Sequence, residues 1–339
     1  MGIILFTAVN AVVPVVLLIL LGYILKQKGF ITESFVKVGN KLVFNICLPC
    51  MLFINVYNIE SFSTISWDVV IYGAVMLVVI FLLGLGTAMA TTKIPERRGV
   101  ILQCTFRSNI AIIGLSLAST LGGEEAVAVA AIVSSFTVPV NNILAVLSLS
   151  IFAHGGHPDK NSFKNVLVNI VKNPLIIGCM LGLVFLCIRE MQIALFGEVL
   201  FRFSYHTKFL YTAVNNLKSI ATPLALVVLG GQFEFSAVKG LFKEIMAGTI
   251  WRIVLAPLLG IGLAIILTNM NVLSCGVNEY PILIALFGSP VAVSSAVMAS
   301  SMGGDEQLAT QLVVWTSIFS IFTIFAQVCI LMSMGLLAV

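Results

Sequence analysis

Two short polar clusters interrupt stretches that are otherwise apolar. The first is Arg-Ser-Asn at 107–109, and the second runs Gly-Ser-Pro at 288–290 and continues to Ser-Ser at 294–295. Serine and asparagine hydrogen-bond carboxylate oxygens, and arginine adds a positive charge. Proline lacks an N–H and glycine tolerates unusual dihedrals, so a helix here is expected to open and expose backbone amides. The predicted substrate-binding residues are Arg107, Ser108, Asn109, Ser289, Pro290, Ser294 and Ser295.

Close packing of helices is the structural alternative for the same residue types. Small polar side chains let helices approach one another and hydrogen-bond inside a membrane. We favour binding for the residues at 108–109 and 289–290, because they occupy equivalent positions in two similar halves of the chain. For Ser294 and Ser295 both interpretations stay open.

The composition points to a membrane as the solvent. Of 339 residues, 60% are hydrophobic and 9% are charged, whereas a soluble domain has about 25% charged residues. Apolar runs of about 20 residues, enough to cross the hydrocarbon core as helices, recur along the whole chain. The net charge of +4 is too small to indicate a nucleic-acid partner. The sequence therefore predicts an all-α membrane protein embedded in a lipid bilayer.

Ten transmembrane helices are predicted, and their connections differ in charge. The spans lie near 4–25, 36–57, 67–91, 99–121, 126–153, 166–188, 208–231, 243–269, 281–302 and 307–337. Twelve of the eighteen Lys and Arg residues follow spans 1, 3, 5 and 7, and only Arg189, Arg202 and Lys208 follow an even-numbered span. Since short basic loops stay cytoplasmic, a multi-pass protein of the plasma membrane with both termini extracytoplasmic is expected.

An internal repeat relates the two halves of the chain. Leu102–Glu125 aligns with Leu283–Glu306 at nine identical positions of twenty-four, where about two are expected by chance. Residues 1–153 and 166–339 would each form a five-helix unit. Because five is odd, the second unit must enter the membrane from the opposite side. Carriers built from such inverted repeats place their sites near the midplane, where paired helices are broken, here spans 4 and 9.

Other chemistry has little support in the sequence. No Asp or Glu lies in the central part of a predicted span, and the three His residues match no metal-ligand spacing. No nucleophile, His and acid form a catalytic set, so an enzyme is not expected. Cys47-Leu-Pro-Cys50 matches the Cys-x-x-Cys motif of redox proteins, but its apolar context favours a packing role for both cysteines. No cofactor or metal is predicted.

Three cations fall inside predicted spans. Arg107 directly precedes the first expected break, and a charge there costs at least about 2.5–3.5 kcal/mol unless water or a partner receives it. Arg107 is therefore expected to have a functional role at this position. Lys218 and Arg252 are interpreted as lying nearer helix ends, where their side chains would reach the interface.

Four motifs together are typical of one family of membrane proteins. They are Arg107-Ser108-Asn109 with Gly114-Leu115, Ser289-Pro290-Val-Ala-Val-Ser-Ser, Gly303-Gly304-Asp305-Glu306 and Thr222-Pro223-Leu-Ala-Leu. These motifs resemble those of the auxin efflux carrier family, which includes plant auxin exporters and bacterial permeases for malate or malonate, and the resemblance covers essentially the whole chain. Bacterial members often read Asn-x-Gly-x-x-Gly-x-Pro, where this chain has Ala111 and Ser116.

The resemblance implies a ten-helix fold related to bile-acid symporters. In that fold a scaffold of spans 1, 2, 6 and 7 supports a transport domain of spans 3–5 and 8–10, which moves like an elevator. Asn109 and Pro290 would be the residues at the crossing of broken helices 4 and 9. The family members differ in substrate, so no single substrate is implied.

The function expected from the sequence is secondary transport of a small organic anion. Carboxylates such as malate, malonate or auxin-like acids are the expected partners, and a homodimer is left open. The alternative is a transporter-like membrane sensor that binds a ligand without moving it. An intramembrane enzyme is a weaker third hypothesis, because buried acids and His are missing.

Overall fold

The computed structural model describes residues 2–58, 67–110, 115–152, 168 and 171–337. Every regular element within these residues is a helix, which confirms the predicted all-α class. The helices are α1 (Gly2–Gln27), α2 (Glu33–Tyr57), α3 (Trp67–Thr91), α4 (Pro95–Phe106), α5 (Leu115–Phe152), α6 (Pro174–Phe196), α7 (Phe203–His206), α8 (Lys208–Gln232), α9 (Ala237–Asn269), α10 (280–288), α11 (Ser294–Met302) and α12 (Glu306–Ser333). The α5 segment is divided by a kink at Gly123, whose dihedrals of 63° and −152° are not helical.

Several of these helices are long and apolar enough to cross a bilayer. Among the described residues six helices qualify, namely α2, α3, α6, α8, α9 and α12. Shorter apolar stretches occur at Val13–Gln27 in α1 and Phe136–Phe152 in α5. A helix satisfies its backbone groups internally, which hydrocarbon requires of any segment that crosses it. The chain is therefore a multi-pass membrane protein.

Local signals explain where helices begin and end, and where span prediction erred. Span 6 was predicted at 166–188, but α6 runs from Pro174 to Phe196, and residues 166–167 lie outside the described part. Asn173 caps this helix by accepting a hydrogen bond from the Leu175 amide at 2.9 Å, and Gly197 ends it with φ of 74°. Capping residues, rather than the apolar run, set the boundaries.

Two helical segments stop inside the apolar part of the chain. Helix α4 ends at Phe106, and Arg107 has extended dihedrals of −81° and 100°. Helix α10 passes from an α-helical turn at Tyr280–Leu283 into π-helical geometry at Ile284–Gly288. Ser289 is then extended, with ψ of 158°, and α11 starts at Ser294. Proline at 290 lacks the N–H that a continuous helix would need.

The two extended segments cross and pair with each other. Ser108 and Val291 form an antiparallel bridge. The Asn109 amide donates to the Pro290 carbonyl at 2.9 Å, and the Ala292 amide donates to the Arg107 carbonyl at 3.2 Å. This pairing satisfies backbone groups that would otherwise be exposed to hydrocarbon.

Glycines bring other helices into backbone contact. A Cβ on Gly22 of α1 would lie 2.0 Å from the Val227 carbonyl oxygen of α8, and one on Gly230 would lie 2.0 Å from the Ile19 carbonyl oxygen. Gly178 and Gly182 pack in the same way on the backbone of α2. The Gly-x-x-x-Gly pattern at 178–182 therefore joins helices within one chain.

One end of the molecule is held together by polar contacts. Arg97 at the start of α4 pairs with Glu244 of α9 and with Asp305, which precedes α12, each at 3.0 Å. Gln232 at the end of α8 donates to Glu306 at 2.5 Å. The ends of four helices therefore meet on the same side of the bundle.

Replacing Gly22 by Ala is expected to destabilise the protein by about 1–3 kcal/mol, because the added methyl group collides with the backbone of α8. The matched control is Gly86→Ala in α3, where a Cβ would meet nothing within 4 Å, and this change should be neutral or stabilising by up to about 1 kcal/mol. Thermal unfolding in detergent measures both. An unchanged melting temperature for Gly22→Ala would contradict the close contact between α1 and α8.

Candidate functional site

A cavity lies where the two interrupted segments cross. Its volume is about 60 Å³, several times the roughly 10–15 Å³ that a single water requires. Apolar side chains of α2 and α5, including Leu48, Met51, Leu52 and Val138, form part of its wall. The polar residues that line it are Arg107, Ser108, Asn109, Asn141, Asn142, Thr222 and Ser294.

Four of the seven residues predicted as substrate-binding line this cavity, namely Arg107, Ser108, Asn109 and Ser294. Ser108 and Asn109 belong to the extended segment after α4, and Ser294 is the first residue of α11. The opening of each helix brings them to one place, although Ser294 follows Asn109 by 185 positions in the chain.

The other three predicted residues lie beside the cavity without lining it. The Ser289 hydroxyl donates to the Ala285 carbonyl at 2.5 Å, so it satisfies the end of α10. The Pro290 carbonyl accepts the Asn109 amide, and the Ser295 amide donates to the Ala292 carbonyl at 2.9 Å. In this structure their contacts shape the crossing.

Three polar residues of the cavity wall were not predicted. Asn141 and Asn142 lie in α5, and Thr222 lies in α8. A pair of adjacent asparagines two residues after Pro139 in an apolar run was a usable signal, since polar side chains inside a span are rarely without function. Thr222 belongs to the motif Thr222-Pro223-Leu-Ala-Leu on which the family resemblance rests, but that motif did not assign it to the site. Gly114 lies outside the described residues, as does the side chain of Ser116.

Arg107 is the charged group of the cavity. Its side chain is only 3% exposed. One terminal nitrogen donates to Asn142 Oδ1 at 2.9 Å and to Ser294 Oγ at 3.1 Å, and the other donates to Met298 Sδ at 2.8 Å. None of the ion pairs found between described residues includes Arg107. Its charge is thus met by neutral acceptors, which leaves a positive potential in the cavity.

Several buried polar atoms of the cavity wall have no hydrogen-bond partner within the described chain. They are Ser108 Oγ, Asn109 Nδ2 and both amide atoms of Asn141. All three side chains are at most 5% exposed. Leaving a buried polar group unpaired costs about 1–3 kcal/mol, so such atoms usually meet water or a ligand. Two amide donors beside a guanidinium suit the oxygens of an anion.

Arg252 corrects one sequence interpretation. It does not lie near a helix end but in the π-helical turn Trp251–Leu255 in the middle of α9, and its side chain is 0% exposed. Its guanidinium donates to backbone carbonyls of both broken helices. Because its guanidinium already donates to several carbonyls, the side chain does not extend to the membrane interface. Lys218 was also misplaced, since it is half-buried near the middle of α8.

Asn142→Ala is expected to lower the free energy of unfolding by about 1–3 kcal/mol, because it leaves a buried guanidinium donor unpaired. The control is Asn45→Ala, since the exposed Asn45 only donates to the Lys41 carbonyl of its own helix and should cost no more than about 0.5 kcal/mol. Thermal unfolding of the purified proteins compares them. Equal stability of the two variants would mean that Asn142 does not hold Arg107.

Comparison of the sequence with known proteins identifies a family. A family described as "Membrane transport protein" matches residues 7–326. An uncharacterized transporter of Methanocaldococcus jannaschii is 25% identical over 320 residues, covering 93% of this chain and 96% of that protein. An uncharacterized transporter of Escherichia coli K12 is 22% identical over 298 residues, covering 86% of this chain and 87% of that protein. The chain belongs to this family of membrane transport proteins, the auxin efflux carrier family that its motifs resemble.

Proposed function

We propose that the protein is a secondary transporter of small organic anions, and that carboxylates of the size of malate or malonate, or auxin-like acids, bind at the crossing. The observation that carries the proposal is the buried Arg107, which lines the cavity and has no acidic partner among the described residues. A cation in this environment is costly unless an anion or water meets it. A substrate carboxylate supplies that partner.

The other groups of the cavity support an anionic ligand. Helix α11 begins at Ser294 on the cavity wall, and the start of a helix carries a partial positive charge. The Ser295 and Ala296 amides already donate to the Ala292 and Val293 carbonyls, so the field of the helix start, rather than these amides, favours an anion. The unpaired side-chain amide nitrogens of Asn109 and Asn141 supply further donors. The apolar wall formed by Leu48, Met51 and Leu52 suits the carbon part of the substrate.

The proposed transport unit is the one that the resemblance to the auxin efflux carrier family implies. Helices α1, α2, α6 and α8 would form the scaffold, and α3–α5 with α9–α12 would form the moving domain. The breaks at 107–109 and 289–293 overlap when the internal alignment is applied, which favours two inverted five-helix units of ten spans in all. The charge bias favours extracytoplasmic termini and a plasma-membrane location.

An elevator-type movement would slide the moving domain past the scaffold. The polar contacts at one end of α8 cross that boundary, since Gln232 meets Glu306 and the Glu234 carbonyl accepts from Gln311 at 2.7 Å. Such contacts must break when the cavity opens to that side. A negative-inside voltage would favour export of an anion by about 2.3 kcal/mol per charge per 100 mV.

Flux of labelled malate, malonate and indole-3-acetate into proteoliposomes tests the substrate class. Arg107→Gln is expected to lower flux of the transported acid by about 10- to 100-fold, the worth of a hydrogen-bonded charge. Asn142→Asp is the sharper variant, because it gives Arg107 an internal carboxylate partner. It should fold at least as well as the wild type and lose flux to a similar degree. Asn109→Ala should also reduce flux.

The control variant is Ser333→Ala, whose hydroxyl bonds only the Ile330 carbonyl at the end of α12 and which should transport normally. Absence of carboxylate flux in the wild type and in Asn109→Ala alike would rule the substrate class out. Binding without flux is the signature of the membrane sensor, an alternative that no observation favours.

A cross-link between α8 and α12 tests the elevator. Cysteines introduced at Gln232 and Glu306, in a variant without the seven native cysteines, should react with a short bifunctional thiol reagent and stop transport reversibly. The control pair is Tyr57 of α2 and Ser204 of α7, which hydrogen-bond at 3.2 Å without involving any helix of the proposed moving domain. Cross-linking that pair should leave transport intact. Full transport with 232 and 306 joined would contradict the proposed movement.

A further inference from the structure

Arg252 holds the ends of both broken helices. Its Nε donates to the Ser289 carbonyl at 2.8 Å, one terminal nitrogen donates to the Thr105 carbonyl at 3.3 Å, and the other donates to the Leu286 and Phe287 carbonyls at 2.9 and 2.7 Å. Four backbone oxygens thus surround one guanidinium. The side chain has no exposed surface.

These oxygens carry the negative ends of two helix dipoles. Thr105 lies in the last turn of α4, and Leu286 and Phe287 lie in the last turn of α10. The carbonyls of a last turn have no partner within their own helix. Each helix end amounts to about half a negative charge, so the two ends together match about one positive charge. Arg252 supplies one.

Carbonyl clusters of this kind are cation sites in transporters with interrupted helices. Half-helix C-terminal ends and unwound carbonyls coordinate Na⁺ or receive a proton there, while half-helix N-termini face an anionic substrate. In this protein the Arg252 side chain fills the carbonyl cluster, and Ser294 at the start of α11 faces the cavity together with Arg107.

We propose that the Arg252 guanidinium is a built-in substitute for a coupling cation at the crossing, so that the anion site is assembled without Na⁺. The proposal rests on the proposed function, because it assigns the ion requirement of that same site. Arg252 acts as a positioning residue: it neutralises the C-terminal ends of α4 and α10, and it leaves Arg107 and the start of α11 to attract the substrate.

The fixed guanidinium has a mechanistic consequence. A bound Na⁺ can leave when the site opens, and its release then couples transport to the Na⁺ gradient. A covalently attached cation cannot leave, so its charge moves with the α4 and α10 ends through the whole cycle. The energy for uphill transport would then come from the membrane potential or from a second anion or proton.

Two experiments test the proposal in proteoliposomes that carry the wild-type protein or Arg252→Ala. In the first, Na⁺ is replaced by N-methyl-D-glucamine, and wild-type carboxylate flux should be unchanged. In the second, Arg252→Ala should lose at least about tenfold of its flux because two helix ends are left uncompensated. Guanidinium at low millimolar concentration should restore flux, whereas urea, a neutral molecule of the same shape, should not. The matched control is Arg202→Ala, at an exposed position before α7. Its flux should change with neither guanidinium nor urea.

A second readout separates this proposal from the proposed function, because it needs no substrate. A ligand that fills the vacated carbonyl cluster raises the melting temperature of the folded protein. Guanidinium should therefore stabilise Arg252→Ala in detergent more than urea does, and NaCl should not stabilise the wild type more than choline chloride does.

Three results would overturn the proposal. They are a wild-type flux that requires Na⁺, a wild type that NaCl specifically stabilises, and an Arg252→Ala variant that urea rescues as well as guanidinium. If Arg252→Ala does not fold, two measurements on the wild type still test the proposal. They are its flux in Na⁺ against N-methyl-D-glucamine and its melting temperature in NaCl against choline chloride. Absent carboxylate flux with the expected melting behaviour would reject the substrate class and leave the role of Arg252 standing.

Discussion

Hydrocarbon cannot hydrate backbone N–H and C=O groups, so every such group inside a membrane protein needs a partner within the protein. This requirement shapes the rest of the structure. A continuous helix satisfies these groups internally, but α4 and α10 stop among buried residues inside the bundle. Pairing of the segments at 107–109 and 290–292 satisfies part of the exposed backbone, and Arg252 satisfies the carbonyls that remain at the two helix ends. A polar cavity can exist inside the membrane because these demands are met next to it.

Charge is divided between the two sides of the crossing. The carbonyl ends of α4 and α10 point at Arg252, whereas Arg107 and the start of α11 border the cavity. Since the described residues offer no carboxylate to either arginine, one guanidinium is neutralised by helix ends and the other by weak neutral acceptors. This asymmetry leaves the positive charge of Arg107 beside the cavity without an acidic partner among the described residues.

Much of the architecture could be predicted because its signals are local. Apolar runs located α3 at 67–91 and α8 at 208–231 almost to the residue, and Pro290 with Gly288 indicated where a helix stops. Errors arose where a capping residue sets a helix boundary or where a distant partner sets the position of a side chain. Asn173 and Gly197 set α6 several residues later than the apolar run suggested, and the partners of Arg252 belong to segments as far away as Thr105.

The membrane environment, the helical class, the interruption of two spans and four of the residues that line the cavity could be predicted from the sequence, because composition, periodicity and proline are local signals. Which polar groups meet in the cavity depends on tertiary packing. Asn141, Asn142 and Thr222 join the cavity through the packing of α5 and α8, and Arg252 moved from an expected interface position to the centre of the crossing. Contacts between residues far apart in the chain depend on how helices approach, and no short pattern encodes that.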